Sequence, residues 1–417
     1  VAVSPSPADP QAAPPIPPEA NAAPAASLAI LPLLAAAAFA SSCGARMLDP
    51  LLPLIAADLR VTVAESAIVI SAFALPYGLS QIVLGPLGDR FGKLRVLVLG
   101  LLLYGLAMAS CALAGSLGHL VLLRAASGAL AGAIMPLAMA WIGDNVPYAE
   151  RQATLSRLLT GLVMAQLLSG PVAGSVGQWL GWRSVFVLLG AVGVLTSLGI
   201  LLILGRGLWQ GGAVAGTGGG LALYARLLKR RAGRLLMIAA FVDGALLFGG
   251  AFPFIGSYLI EVFGLEAWQA GLVVAGFGLG SFLYTRVARR LVARLGEGRL
   301  LLTGGLLLAL GLAGLGFSPT WWVVALLQVV IGMAFFMFHG VLQARSTEAM
   351  PEARATAVSA FAMALFLGQG IGSIWFGAML ASTGYPGAFL LAAAVMAGLA
   401  VWTRIKVVPP AGVRSGE

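Results

Sequence analysis

Four charged residues stand inside long apolar runs, where charge is costly and usually functional. They are Arg46 and Asp49 in Arg46-Met-Leu-Asp49-Pro50-Leu-Leu-Pro53, Arg124 in Leu122-Leu-Arg124-Ala-Ala-Ser127-Gly128, and Asp243. Desolvation disfavours a buried carboxylate's charged form and a nearby guanidinium favours it, so such a pair can exchange a proton in the working range. Asp49 lies about 10 Å and Arg124 about 7 Å from the ends of their runs at 1.5 Å per residue, depths at which they can meet. Two plainer arrangements stay open: Asp49 pairs with Arg46 at i, i+3 as a structural ion pair, and Arg124 reaches water along its own stem. Asp243 sits about nine residues into its run with no base in helical reach, so it is protonated or faces a wet cavity, unless it is a polar packing residue. His119 falls in a gap between runs and reads as solvated. His339, closing Met333-Ala-Phe335-Phe336-Met337-Phe338, reads as packing.

The elements that must position these groups follow from composition. Of 417 residues, 60% are hydrophobic and 10% charged, against about a quarter charged in soluble chains. The chain belongs in lipid. A cytosolic enzyme, a nucleic-acid binder and a secreted disulfide scaffold are thereby disfavoured. Cys43 and Cys111 both lie in apolar runs and form neither a disulfide framework nor a metal site. No phosphate-binding loop, His-Glu-x-x-His helix, Cys-x-x-Cys pair or Gly-x-Ser-x-Gly elbow is present, so no enzyme chemistry, metal or cofactor is expected.

Residues 1–26 carry eight of the 22 prolines and no Lys or Arg, and read as a disordered tail rather than a signal peptide. Twelve runs long enough to cross a bilayer follow, at about 28 to 56, 66 to 86, 96 to 115, 120 to 143, 156 to 179, 184 to 205, 235 to 260, 268 to 287, 300 to 317, 321 to 342, 355 to 381 and 387 to 404. With both termini cytoplasmic, 21 of the 25 Lys and Arg fall in cytoplasmic gaps and tails, so the net charge of +10 is an orientation signal. A Gly-rich connection, 206–234, divides the spans into bundles at 27–205 and 235–405, with a tail at 406–417. Arg151 and Arg354, Gly181 and Gly384, Phe186 and Phe389, and Pro50 and Pro253 are each 203 residues apart. That constant offset implies two parallel six-helix repeats.

Between the second and third spans stands Gly85-Pro-Leu87-Gly-Asp89-Arg90-Phe-Gly92-Lys93-Leu-Arg95. Spacing and position resemble the hallmark loop of the major facilitator superfamily. The resemblance implies a conformational latch of Gly85, Asp89, Arg90, Gly92 and Lys93 that holds the halves together on the cytoplasmic side. The loop after the eighth span keeps Arg286, Arg289, Arg290 and Arg294 but lacks the acid, so the latch is one-sided. Arg124 with Ser127, Gly128 and Gly132 resembles the family's second motif. Gly170-Pro171-Val-Ala-Gly174 resembles the motif of its proton-coupled antiporters, with Gln166 where the usual form has a further glycine, and Asp49 before Pro50 resembles the start of its multidrug exporters.

The resulting expectation is an all-α membrane protein of twelve transmembrane helices in two pseudo-symmetric halves, a multi-pass protein of the cell (inner) membrane. It is expected to act as a monomer that exports a small, partly apolar solute in exchange for protons, with no nucleic acid among its partners. A midplane cavity is lined by Arg46, Tyr77, Gln81, Gln166, Phe336 and Gln369, with Asp49, Arg124 and Asp243 handling protons. The alternative is a proton symporter or facilitator that imports a metabolite or organic anion, with Arg124 as the anion clamp.

Overall fold

A computed structural model describes residues 29–210 and 220–408, and every regular element among them is helical. The N-terminal tail, much of the glycine-rich connection and the final residues lie outside the described part. Among the described residues the helices form twelve spans. In the first half these are α1 (Leu31–Arg46, resumed as Leu52–Leu59), α2 (Ile68–Phe91), α3 (Lys93–Ser110), α4 (Leu117–Ala131, resumed as Ile134–Asn145), α5 (Tyr148–Leu180) and α6 (Trp182–Leu204). In the second they are α7 (Arg231–Phe263), α8 (Ala267–Val274, resumed from 276 to 295), α9 (297–316), α10 (Trp321–Ser346), α11 (354–383) and α12 (385–406). Twelve crossings leave both described ends on one face.

The twelve runs explain why chain in lipid takes this form, since a helix satisfies every backbone group internally where no water can. Its interruptions repeat between halves. The tight turns of α5 to α6 and α11 to α12 are made by Gly181 (φ 82°) and Gly384 (φ 66°), and those of α2 to α3 and α8 to α9 by Gly92 (φ 97°) and Gly296 (φ 67°). A side chain at these left-handed positions would be strained. The first helix of each half is broken next to a matched proline. In α1 the helix lapses over Met47–Leu51 around Pro50. In α7 a π-helical stretch, Gly244–Ala251, ends at Gly250 (φ −82°, ψ −107°) just ahead of Pro253. Proline lacks the N–H for the helix ladder and its ring crowds the carbonyl four residues back, which is why both breaks fall there.

The halves meet along the face opposite the described termini. Gly256 of α7 packs on the Asp49 backbone, where an added Cβ would lie 2.2 Å from the Asp49 carbonyl oxygen. Gly170 and Gly174 of α5 pack on Gly271 and Ala267 of α8, and Gln178 Oε1 accepts the Ala267 N–H at 3.2 Å. Ser71 of α2 donates to the Gly370 carbonyl of α11 at 2.6 Å. On the termini face the described ion pairs stay within one half or its adjoining linker: Lys93 with Asp144, Arg345 with Glu297, and Arg230 with Glu352.

Candidate functional site

The break in α1 places Asp49 in a non-helical turn at the seam, 2% exposed, with Arg46 one turn before it. Arg46 Nη2 lies 3.9 Å from Asp49 Oδ2, a loose ion pair, and Arg46 Nη1 is buried without a hydrogen-bond partner. Rings of the other half hold the guanidinium. Its carbon sits 5.3 Å from the centroid of Phe248, 5.5 Å from Phe252 and 5.4 Å from Phe277, distances at which an aromatic face attracts a cation. The first two rings come from α7 and the third from α8.

Arg124 does not join that pair. It is fully buried inside the first half, where Nη2 donates to the Gly44 carbonyl at 3.0 Å and Nε faces the Val69 carbonyl at 3.5 Å. The Phe73 ring lies 4.3 Å from its guanidinium carbon. The depths of Asp49 and Arg124 allow contact, but Arg124 points among α1, α2 and α3, while Asp49 lies where its backbone meets Gly256 of α7. The route to water along its stem is closed as well, because the side chain is enclosed over its whole length.

Asp243 has the partner that its own helix could not supply. His339 of α10 places Nδ1 2.6 Å from Asp243 Oδ2, and Asp243 Oδ1 is buried without a partner. Both residues are buried. His339 also stacks on Phe335 at 4.7 Å, 17° from parallel, so the packing reading of the histidine holds for its ring face and misses its ring edge. The two charged pairs share a wall. Phe248 lies 5.3 Å from the Arg46 carbon and 6.2 Å from the His339 ring, and Phe335 touches Phe248, Phe252, Phe277 and His339.

Tyr77 stacks on Phe366 of α11 with centroids 3.9 Å apart. Gln81 and Gln166 each bury an Oε1 without a partner, Gln369 is buried, and Phe336 faces Tyr284 at 6.4 Å. Of the latch residues, the side chain of Asp89 and residue Gly85 lie outside the described ones. Gly92 makes the turn, Arg90 is exposed over Phe91, and Lys93 reaches Asp144 of α4 in its own half. Sequence reasoning missed His339 and the rings Phe248, Phe252, Phe277 and Phe335 as site residues. The signal available was a polar ring inside a span, and a carboxylate without a local base.

A family profile described as the Major Facilitator Superfamily matches residues 34–288 and 236–417. An uncharacterized transporter of that type from Bacillus subtilis (strain 168), YceJ, is 27% identical over 82% of this chain and 87% of its own length. A chloramphenicol resistance protein of Streptomyces lividans is 29% identical over 66% of this chain and 70% of its own. Among solved structures, a D-xylose-proton symporter superposes with a TM-score of 0.71 at 21% identity, covering 92% of this chain and 98% of that one.

Proposed function

This chain belongs to the major facilitator superfamily of secondary transporters, and from that premise we propose that it exports a small, partly apolar solute in exchange for protons. The observation that carries the proposal is the Asp243–His339 pair. It is a carboxylate and an imidazole at 2.6 Å, enclosed beside the break of α7, with a second carboxylate oxygen unpartnered. A carboxylate and an imidazole in contact can share a proton and release it when their surroundings change. A hinge-like helix next to the pair gives that change somewhere to occur. Asp49 takes the lesser role, because Arg46 already supplies its counter-charge.

Three further observations support the reading. The chain's similarity to a chloramphenicol resistance protein favours a drug-like solute. The glycine contacts of α5 on α8 close the seam on the face opposite the termini. With the termini cytoplasmic, as the basic residues favour, that closed seam lies on the outer side, and an exporter loads from the other. The test is efflux from solute-loaded proteoliposomes. An external pH below the internal one should speed efflux, and adding solute to detergent-solubilised protein should release protons. Joint uptake of solute and protons would overturn export by exchange and leave the importing symporter in its place.

A further inference from the structure

We propose that the walls formed by Phe248, Phe252 and Phe277 are a subsite for a delocalised monovalent organic cation, occupied in this state by Arg46 as an internal ligand. The assignment rests on the transporter reading and names its solute class. Three ring faces at 5.3–5.5 Å around one cationic carbon make a built cation site, since the negative quadrupole of each ring attracts positive charge. Arg46 fits it imperfectly. Its Nη1 is buried with no acceptor, and its Nη2 is 3.9 Å from the Asp49 carboxylate. A donor left unmade in a buried place costs free energy, so a cation without N–H groups, such as a quaternary ammonium or a phosphonium, suits these walls better than a guanidinium does. Asp49 would then balance the solute's charge instead of Arg46's.

The same wall links solute to proton. Charged groups facing it are Arg46 and Asp49 from α1, Asp243 from α7 and His339 from α10, while α8 and α11 present Phe277 and Phe361. A protonated His339 beside Phe248 repels a cation held on the same ring, so occupancy of the subsite and protonation of the pair oppose each other.

The experiment is equilibrium binding of tetraphenylphosphonium to the purified full-length protein in detergent, with no gradient present. Arg46→Gln should tighten binding by about tenfold, the scale of one desolvated cation–π contact, because it removes the competitor. Phe248→Leu, which keeps apolar bulk and loses the ring face, should weaken it to a similar degree. Wild-type binding should weaken as pH falls, and His339→Gln should flatten that dependence. Neutral chloramphenicol serves as control and should be indifferent to Arg46→Gln. Weaker or unchanged phosphonium binding in Arg46→Gln overturns the subsite, as does binding that Phe248→Leu leaves intact. These outcomes leave gradient-driven efflux, the test of exchange itself, to be judged separately.

Discussion

The two halves repeat each other in backbone and differ in charge. Position 203 after Asp49 is Phe252, and 203 after Arg46 is Gly249, so the ion pair of α1 corresponds to a ring and a glycine in α7. Both helices keep the proline and the break beside it. The first half thus supplies a cation and its counter-ion at the seam, with Arg124 tied to backbone carbonyls behind them. The second supplies the aromatic wall and a carboxylate–imidazole pair. A permanently charged guanidinium can position and repel, whereas the second half's pair is built of two groups that can each gain or lose a proton. The repeat fixed the hinges, and divergence beside them gave the halves different charges; on the proposed reading the second half handles protons.

The largest expected effect tests that division directly. Asp243→Asn should reduce gradient-driven efflux to the level of empty liposomes while solute exchange without a gradient continues. Efflux at the normal rate in that variant, together with its loss in Asp49→Asn, would move proton handling to the first half.

A second way to break the comparison addresses the seam on which both halves rely. An added Cβ at Gly174 would lie 2.2 Å from the Ala267 carbonyl oxygen, so Gly174→Val must push α5 off α8. Overpacking of this kind costs about 1–3 kcal/mol. It should shift the protein away from the state closed opposite the termini, visible as easier labelling of a cysteine placed at Gln178, with slower turnover. Unchanged labelling and turnover would show that this seam is not rate-determining.

Arg124→Gln sharpens the contrast between a structural and a titrating charge. It leaves the Gly44 carbonyl without its donor, at a cost of about 1–3 kcal/mol. The thermal midpoint should fall, and the pH profile of efflux should keep its shape. A displaced profile would make Arg124 part of the proton path.

The smallest effect lies at the linker. Glu352, in the short turn between α10 and α11, has its carboxyl held below the usual range by its backbone amide first and by Arg230 next. A carboxyl depressed in the folded state stabilises it above the unfolded value, and that contribution fades as pH falls through the carboxylate range. Glu352→Gln should therefore lower the midpoint slightly at neutral pH and converge with wild type in acid. Both partners are about 40% exposed, and solvent and salt weaken such a pair. A gap that persists in acid would assign the effect to something other than the ion pair.

Much of the fold was legible because lipid allows few solutions. Apolar runs of membrane length, the offset between Gly181 and Gly384, and the prolines at 50 and 253 each reappear as a span, a turn or a break. Less of the site was legible. The i, i+3 spacing allowed Arg46 and Asp49 to pair, and they do, yet nothing local announced that the same guanidinium faces three rings of the other half. Arg124 and Asp49 were matched in depth and separated by direction. Asp243 could be seen to lack a base on its own helix, while its partner lay 96 residues away.

By itself the sequence determined which segments lie in lipid, how they repeat, and at what depth each charge sits. These are properties of a single helix against a uniform solvent, set by hydropathy and a fixed rise per residue. Only the tertiary structure decided that His339 meets Asp243, that Arg46 fills a cage of phenylalanines, and that Arg124 turns inward to carbonyls. Those contacts depend on how each helix is rotated about its axis against its neighbours. That rotation is settled jointly by close glycine contacts such as Gly256 on Asp49 and Gly174 on Ala267, which no single span encodes.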